Sequence, residues 1–582
     1  MIREIEQLIA GGRLDQFDRY FVRALQRLAP ATGPHILVLA ALARKAVGNG
    51  HVCLELKRLV PEDIFLTDAL PLIEELIAEL RESPLVSREG NLAPLVLEGE
   101  RLYLQRYWRY EEELAREIRN RVTKQVTVRD DLMASCLSQL FTGTAQDAGQ
   151  REACAGIFRE RLGLITGGPG TGKTTLVAKY LALLLLYAKA SGEPPPRILL
   201  LAPTGKAAAR LTESLQKKKG ELSLPQELIA ALPTQAATIH RALGYRTDNP
   251  ATFRHNRENP LSCEVVVVDE ASMIDVALMA KLFAAVPPSA RLVLLGDPDQ
   301  LSSVEAGSIL GDICVAATDG VEDNPLARCL VRLRESFRYS SHEGIGALAA
   351  AIQAGKAEEA AFLCQQGSAE VNLLPPLMQS DPAHPLAEMI MAGYRPFLEA
   401  ADPFAALELF ERFRLLCAHR LGPMGVSSLN RYTEKVLTLH RLIESNGLWY
   451  KGRPVLIQAN SYPLRLFNGE TGIIWPGEDG EGLKAFFFSQ GRDGLRSYSL
   501  RQLPVHETAF TMTIHKSQGS EFEQVALILP GEDSALLSRE LLYTGISRAR
   551  RQVALVGRPQ EIEAAVGRRV ERASGLGEKL TA

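Results

Sequence analysis

The octapeptide Gly167-Gly168-Pro169-Gly170-Thr171-Gly172-Lys173-Thr174 has the spacing G-x-x-x-x-G-K-[ST]. Glycines at such positions let backbone N–H groups approach phosphate oxygens with no side chain in the way. The N-terminus of a following helix adds favourable partial charge. Lys173 has the reach for β- and γ-phosphates, and the Thr174 hydroxyl suits Mg²⁺. An apolar strand, Leu162–Thr166, precedes the glycines and an apolar helical stretch follows them. That context separates a phosphate loop from an ordinary glycine turn. ATP and Mg²⁺ are the expected ligands.

Further along, Val265-Val266-Val267-Val268 runs into Asp269-Glu270, a buried strand ending in two carboxylates. Asp269 suits the outer shell of Mg²⁺, and Glu270 suits the base that orients and deprotonates water. Gln300 lies in Gly296-Asp297-Pro298-Asp299-Gln300-Leu301 after the next strand, placed to sense a γ-phosphate or the attacking water. Taken alone, that stretch also reads as a turn rich in Asp and Pro. Arg338 and Arg548 are candidates for cations delivered from a second domain to the transferring phosphate. Each alone also fits a surface ion pair.

These side chains need strands to end them in one place. Apolar strands are expected at Leu162–Thr166, Ile198–Ala202, Val265–Val268 and Leu292–Leu295, with helical stretches between them. That alternation predicts a parallel sheet covered on both faces, an α/β fold. A second α/β block starts near Leu333, is interrupted by turn-rich strands, and resumes with Val525–Leu529 and Val553–Val556. Residues 1–125 read as mainly helical, including Asp68–Leu80, with a strand pair over Leu95–Leu104 turning at Glu98-Gly99.

The chain has 582 residues, enough for three or four domains. Hydrophobic residues make up 46% and charged residues 23%, the balance of a folded soluble protein. The net charge of −3 leaves nucleic-acid binding open, because only the contact surface must be basic. The eight cysteines form no C-x-x-C pair and no Cys/His cluster of zinc spacing, which fits a reduced, cytoplasmic chain. The N-terminus lacks a basic region followed by an apolar run. The stretch Leu176–Tyr187, interrupted by Lys179, is too short to span a bilayer and reads as a buried helix, so no membrane association is expected. Glu55-Leu56-Lys57 fits E-x-K, but Asp18 is the nearest upstream aspartate, so no carboxylate cluster for a nuclease metal is expected.

The motifs fall in a recognisable order. Gln150-Arg151 precedes the phosphate loop. Then come Ala202-Pro203-Thr204-Gly205-Lys206-Ala207-Ala208-Ala209-Arg210-Leu211, Ala237-Thr238-Ile239-His240-Arg241-Ala242-Leu243-Gly244 and Asp269-Glu270-Ala271-Ser272. The Gln300 stretch, Arg338, Thr513-Ile514-His515-Lys516-Ser517-Gln518-Gly519-Ser520-Glu521-Phe522 and the Arg548 stretch close the series. Over residues 150 to about 557 the series resembles superfamily 1 helicases of the 5′→3′ branch. Within that branch Gly50-His51-Val52-Cys53-Leu54, Leu97–Leu104 and Arg465–Gly472 resemble the RecD subunits of RecBCD helicase–nuclease complexes.

The resemblance implies two RecA-like P-loop domains with parallel sheets, a helical N-terminal domain and a small inserted SH3-like β-barrel. It places a partner-docking domain at 1–125 and motor domain 1A at 126–330, with a hairpin insertion near 243–260. Motor domain 2A takes 331–446 and 506–582, and the inserted domain 2B takes 447–505. It implies ATP-driven 5′→3′ translocation on single-stranded DNA and unwinding from duplex ends, in double-strand break repair. The implied assembly is a heterotrimer with RecB-like and RecC-like subunits, the nuclease site lying on a partner. A stand-alone helicase on DNA or RNA is the alternative. Gln150 matches the adenine-reading glutamine; Thr204, Lys206, Thr238, His240, Thr513 and His515 match DNA-contacting positions. Hydroxyls, imidazoles and amines suit phosphate contacts.

Overall fold

The structure is a computed structural model. It describes the chain except residues 1–2, 60–72, 88–91, 142–144, 223, 247–248, 250–251, 320–323, 335–337, 339–342, 379–380, 446, 462, 478–481, 490–493 and 582.

The N-terminal region packs the helices Arg3–Ala10, Gln16–Leu28, Pro34–Gly48 and Ile73–Glu82 beside a small antiparallel sheet. That sheet has the order β1 (Leu54–Glu55), β3 (Arg101–Leu104), β2 (Leu95–Glu98). The hairpin β2–β3 turns at Gly99, whose φ of 57° is the left-handed conformation glycine adopts freely. Residues 68–72 of the helix expected over Asp68–Leu80 lie outside the described residues.

The first motor sheet is parallel, with the order β6 (Ala237–Thr238), β5 (Ile198–Ala202), β7 (Val265–Val268), β8 (Arg291–Gly296), β4 (Leu162–Gly167), β9 (Leu330–Leu333). Every residue of β7 is buried, as an unbroken Val run requires when helices cover both faces. One of those helices, Lys173–Ser191, buries most of its apolar residues. It is long and apolar enough to cross a membrane by length and composition alone, yet 61% of it is buried inside the fold.

The chain continues through β10 (Val371–Leu374) and β11 (Phe413–Cys417). It then leaves to form β12 (Pro454–Ile457), β13 (Thr471–Pro476), β14 (Leu483–Phe488), β15 (Leu495–Ser499) and β16 (His506–Thr508), and returns as β17 (Thr511–Thr513), β18 (Phe522–Ile528) and β19 (Ala549–Val556). The second motor sheet is parallel, with the order β10-β19-β18-β11-β17. The inserted strands pair antiparallel in the order β15-β14-β13-β12-β16 around Val455, Ile457, Ile474, Ala485 and Phe487. Among the described residues β15 and β16 are the outer strands of this order, and no pairing between them is seen.

Two parts of the expected partition need correction. The helix Gln105–Val122 lies inside the span 1–125, yet its Leu114, Ala115, Ile118 and Val122 share one core with β8 and the helix Val276–Ala285. Arg121, 1% exposed, locks it there by donating to the carbonyls of Val286 (2.7 Å), Ala290 (3.0 Å) and Pro287 (3.2 Å). Those carbonyls follow a helix C-terminus, where a cation is favoured. The second correction is at the other end. Residues 572–581, expected in the second motor domain with 506–582, return to the first domain and the N-terminal region. Val52 N donates to Ala573 O (2.8 Å), and buried Glu111 accepts from Ser574 Oγ (3.0 Å) and Gly575 N (3.1 Å). Lys579 Nζ meets Glu98 and Glu112. No periodicity in the tail announces this, because its partners are polar groups far away in sequence.

Around the expected hairpin at 243–260, Tyr245 bridges Phe253 antiparallel, Arg254 N donates to Gly244 O (3.0 Å) and His255 N to Leu243 O (2.9 Å). Residues 247–248 and 250–251 lie outside the described residues.

Candidate active site

The phosphate loop leaves the C-terminal end of β4 and opens the helix Lys173–Ser191. Ligands bind at such strand ends in open α/β sheets. A Cβ on Gly167 would lie 2.6 Å from Leu333 O, so that position needs glycine, and one on Gly168 would press against the Tyr543 hydroxyl at 2.8 Å. Gly172 caps the helix with φ 85°. Thr171 Oγ1 donates to Gly168 O (2.9 Å). Lys173 Nζ bends back onto the carbonyl oxygens of Gly167 and Gly168, so the loop carries its own cation. Pro169, Gly170 and Thr174 complete the turn into the helix. Gln150 stands on the neighbouring helix Ala145–Phe158, its Oε1 accepting from Lys179 Nζ (3.0 Å).

The carboxylates follow β7. Asp269 Oδ1 accepts from Glu270 N (2.9 Å). Burial raises the Asp269 carboxyl above its ordinary value, and the charge of Glu270 adds to that, while Lys173 and Arg210 pull it down. Glu270 has φ 52°, a left-handed backbone that costs a non-glycine residue energy and that recurs at functional sites. After β8, Asp297 is buried and accepts from Gln300 Nε2 (2.9 Å) and from the Tyr543 hydroxyl (3.0 Å). Its carboxyl is also raised by burial, with Lys173 opposing.

The second domain reaches across this cleft. Arg548 Nη2 donates to Gln300 Oε1 (2.8 Å), and its other nitrogens donate to Thr544 O and Ser520 O. Thr544 Oγ1 accepts from Leu301 N (2.8 Å), and Gln518 Nε2 donates to Leu301 O (2.7 Å). Gln300 and Arg548 are therefore brought together from 248 positions apart. Arg338 is placed elsewhere: its Nη2 pairs with Glu521 Oε1 at 2.7 Å. Asp297, Tyr543, Arg210 and Glu521 were missed as site residues. Each lies inside a motif already visible in the sequence, but only its partner across the cleft shows what it touches.

The six expected DNA contacts fall at strand ends. Thr204, Thr238 and Thr513 follow or end β5, β6 and β17, and each N-caps the next helix, accepting from Ala207 N (3.2 Å), Arg241 N (3.2 Å) and Lys516 N (3.3 Å). Lys206, His240 and His515 sit in the first turns of those helices. Burial lowers the pKa of both His240 and His515, keeping the imidazoles neutral donors at physiological pH.

Three family models match. RecBCD enzyme subunit RecD, N-terminal domain, covers residues 10–103; an AAA domain covers 150–306; a UvrD-like helicase C-terminal domain covers 508–556. The RecBCD enzyme subunit RecD of Mycolicibacterium smegmatis is 39% identical over 97% of this chain and 97% of its own length. The chain belongs to the RecD family. The RecD of Haemophilus influenzae is 32% identical over 94% of this chain and 93% of its own. The ATP-dependent RecD2 DNA helicase of Deinococcus radiodurans is 30% identical, over 72% of this chain and 50% of its own length. A crystal structure of Bacteroides Pif1 bound to ssDNA aligns at 17% identity and TM-score 0.36, over 71% of this chain and 92% of that one. The RecD relatives thus match nearly the whole chain and nearly their own full lengths, whereas RecD2 is matched over only half of its own length.

Proposed function

We propose that this RecD-family chain is an ATP-driven 5′→3′ single-stranded DNA translocase and DNA helicase. It works as the helicase subunit of a RecBCD-type complex, a heterotrimer with RecB-like and RecC-like subunits, in cytoplasmic double-strand break repair. End-to-end identity with subunits named RecD supports the assembly. The observation that carries the motor reading is the Arg548–Gln300 contact of 2.8 Å, which joins two parallel-sheet domains beside a phosphate loop.

Each residue then has a task. The loop Gly167–Thr174 wraps the phosphates with backbone N–H groups, Lys173 neutralises them, and Gln150 reads the base. Glu270 accepts the proton of the attacking water, Gln300 orients that water, and Arg338 and Arg548 stabilise the charge on the transferring phosphoryl group. Thr174 and Asp269 are the groups that would hold Mg²⁺. The raised Asp269 carboxyl beside Glu270 is an electrostatic situation a divalent cation relieves. Among the described residues no three His, Cys, Asp or Glu form a metal-holding group, so phosphates and water would supply the remaining ligands, as is usual for Mg²⁺. Held there, Mg²⁺ would supply charge that shields the phosphates.

Thr204, Lys206, Thr238, His240, Thr513 and His515 hold the DNA backbone along the ends of both sheets. Closing the cleft moves Thr513 and His515 of the second sheet relative to the four groups of the first, which converts hydrolysis into a step along the strand. The inserted antiparallel sheet serves as an SH3-like domain 2B beside that track, and the N-terminal helices dock the partners. The test is displacement of streptavidin from end-labelled single strands by the purified complex. Displacement from 3′-labelled but not 5′-labelled strands is expected, and the reverse preference overturns the direction.

A further inference from the structure

Glu521 is 7% exposed and lies where three arginines from distant parts of the chain meet. Arg210 comes from the helix Gly205–Lys219 of the first domain, and its Nη2 pairs with Glu521 Oε1. Arg338, on the crossing between the two domains, shares that same oxygen at 2.7 Å. Arg550, on β19, donates from Nε to Oε2 at 2.8 Å. One carboxylate thus faces three guanidiniums, which stay charged at any physiological pH. The cluster carries excess positive charge beside Asp269 and Glu270. Burial depresses the Arg210 guanidinium to about 10, with Glu270 the strongest opposing influence, which places Arg210 within reach of the catalytic carboxylates.

The position of Glu521 in the chain matters as much. The segment 513–521 begins with two candidate DNA contacts, Thr513 and His515. Gln518 then grips Leu301 O, and Ser520 O accepts from Arg548 (3.2 Å). Glu521 holds Arg338, and Phe522 anchors the segment in the core as the first residue of β18. Gly519, with φ 70°, lets the backbone turn between the two ends. One short segment therefore carries DNA-facing groups at one end and touches both expected finger arginines at the other.

We propose that Glu521 is a positioning residue: its carboxylate holds Arg338 together with Arg210, and gives Arg338 up to the γ-phosphate when DNA shifts the segment 513–521. This rests on the helicase reading above. A guanidinium cannot lose its charge, so Arg338 serves the phosphate only by exchanging acceptors. A triphosphate carries more charge than one carboxylate and wins the exchange once the segment moves. While Glu521 holds Arg338, the finger is withheld and turnover without DNA stays low. DNA stimulation of ATP hydrolysis then arises from an ion pair broken, with no new catalytic group introduced.

The experiment compares wild type with Glu521→Gln in the full chain bound to its partner subunits. Affinity for a non-hydrolysable ATP analogue is measured without DNA, and turnover is measured with and without single-stranded DNA. Removing the competing charge raises the fraction of competent finger, so the analogue binds on the order of tenfold tighter. Basal turnover rises, and the ratio of stimulated to basal rate falls. A residue that only braces the domains gives the opposite sign in affinity. Unchanged or weaker analogue binding overturns the proposal, and so does an unchanged stimulation ratio. If Glu521→Gln does not fold, Glu521→Asp carries the test, because a shorter carboxylate cannot span all three arginines; the same signs with smaller amplitude are expected. Failure of the helicase reading looks different: wild type itself shows no DNA-stimulated turnover.

Discussion

Arg548 donates to Gln300 at 2.8 Å, and these two side chains tie the second parallel sheet to the first directly beside the phosphate loop. Because both are buried and share one hydrogen bond, their roles are coupled. In a double-mutant cycle on DNA-stimulated kcat, Gln300→Ala and Arg548→Ala should be strongly non-additive. Independent losses that sum would show that the contact is only packing.

Lys173→Gln should abolish ATP turnover and leave the fold intact. Among the described residues the ammonium donates to the loop carbonyls Gly167 O and Gly168 O and belongs to no hydrophobic core. Turnover near wild type, with an unchanged circular dichroism spectrum, would remove the phosphate-loop assignment.

Arg338→Ala should lower kcat far more than it weakens ATP binding. Cations supplied to the transferring phosphate are worth roughly 10³–10⁵ in rate in related phosphate-loop enzymes. Arg338 is partly exposed and pairs at the surface of the cleft, so its removal leaves the cores untouched. A mutant with full stimulated kcat means that Arg338 is no finger.

Asp269→Asn should stabilise the protein while ending its activity. Burial, then the charge of Glu270, pushes this carboxyl from 3.8 up to about 6. An acid raised on folding contributes stability that is full below its unfolded value and is lost as pH climbs through the folded one. The loss therefore develops between about pH 4 and pH 6 and persists at pH 7.5. The asparagine does not ionise, so the mutant's advantage in melting temperature should be larger at pH 7.5 than at pH 4. Equal differences at both pH values would show that the carboxyl is not strained.

Two N-terminal deletions should behave differently. Removing residues 1–120 strips Leu114, Ala115 and Ile118 from the first motor core, and truncating a buried Leu or Ile alone costs about 2–5 kcal/mol. That protein should be insoluble. Removing residues 1–48 takes helices whose buried residues lie in a cluster outside the motor cores, Val47 packing against the edge of the first, so the motor should keep DNA-stimulated ATPase activity and lose its partner subunits on co-purification. Full retention of partners would move the docking surface elsewhere.

Much of this protein is local and so was legible in its sequence. A phosphate loop works through consecutive backbone N–H groups, so its eight residues, Gly167–Thr174, state their chemistry by spacing alone. Buried parallel strands need unbroken apolar runs, so Ile198–Ala202 and Val265–Val268 were found with the bounds they have in the fold. The hairpin Leu95–Leu104 was readable for the same reason, since one glycine makes its turn. What tertiary structure decided is which distant groups share a place. Glu521 with Arg210, Arg338 and Arg550, and Asp297 with Tyr543, are ion pairs and hydrogen bonds between residues 29 to 311 positions apart. Such contacts leave no period in the chain, because a single charged side chain looks the same whether it meets water or a partner. The helix Gln105–Val122 and the tail from Arg572 were misplaced on the same account: sequence neighbours suggested a domain, and packing against the first motor sheet decided otherwise.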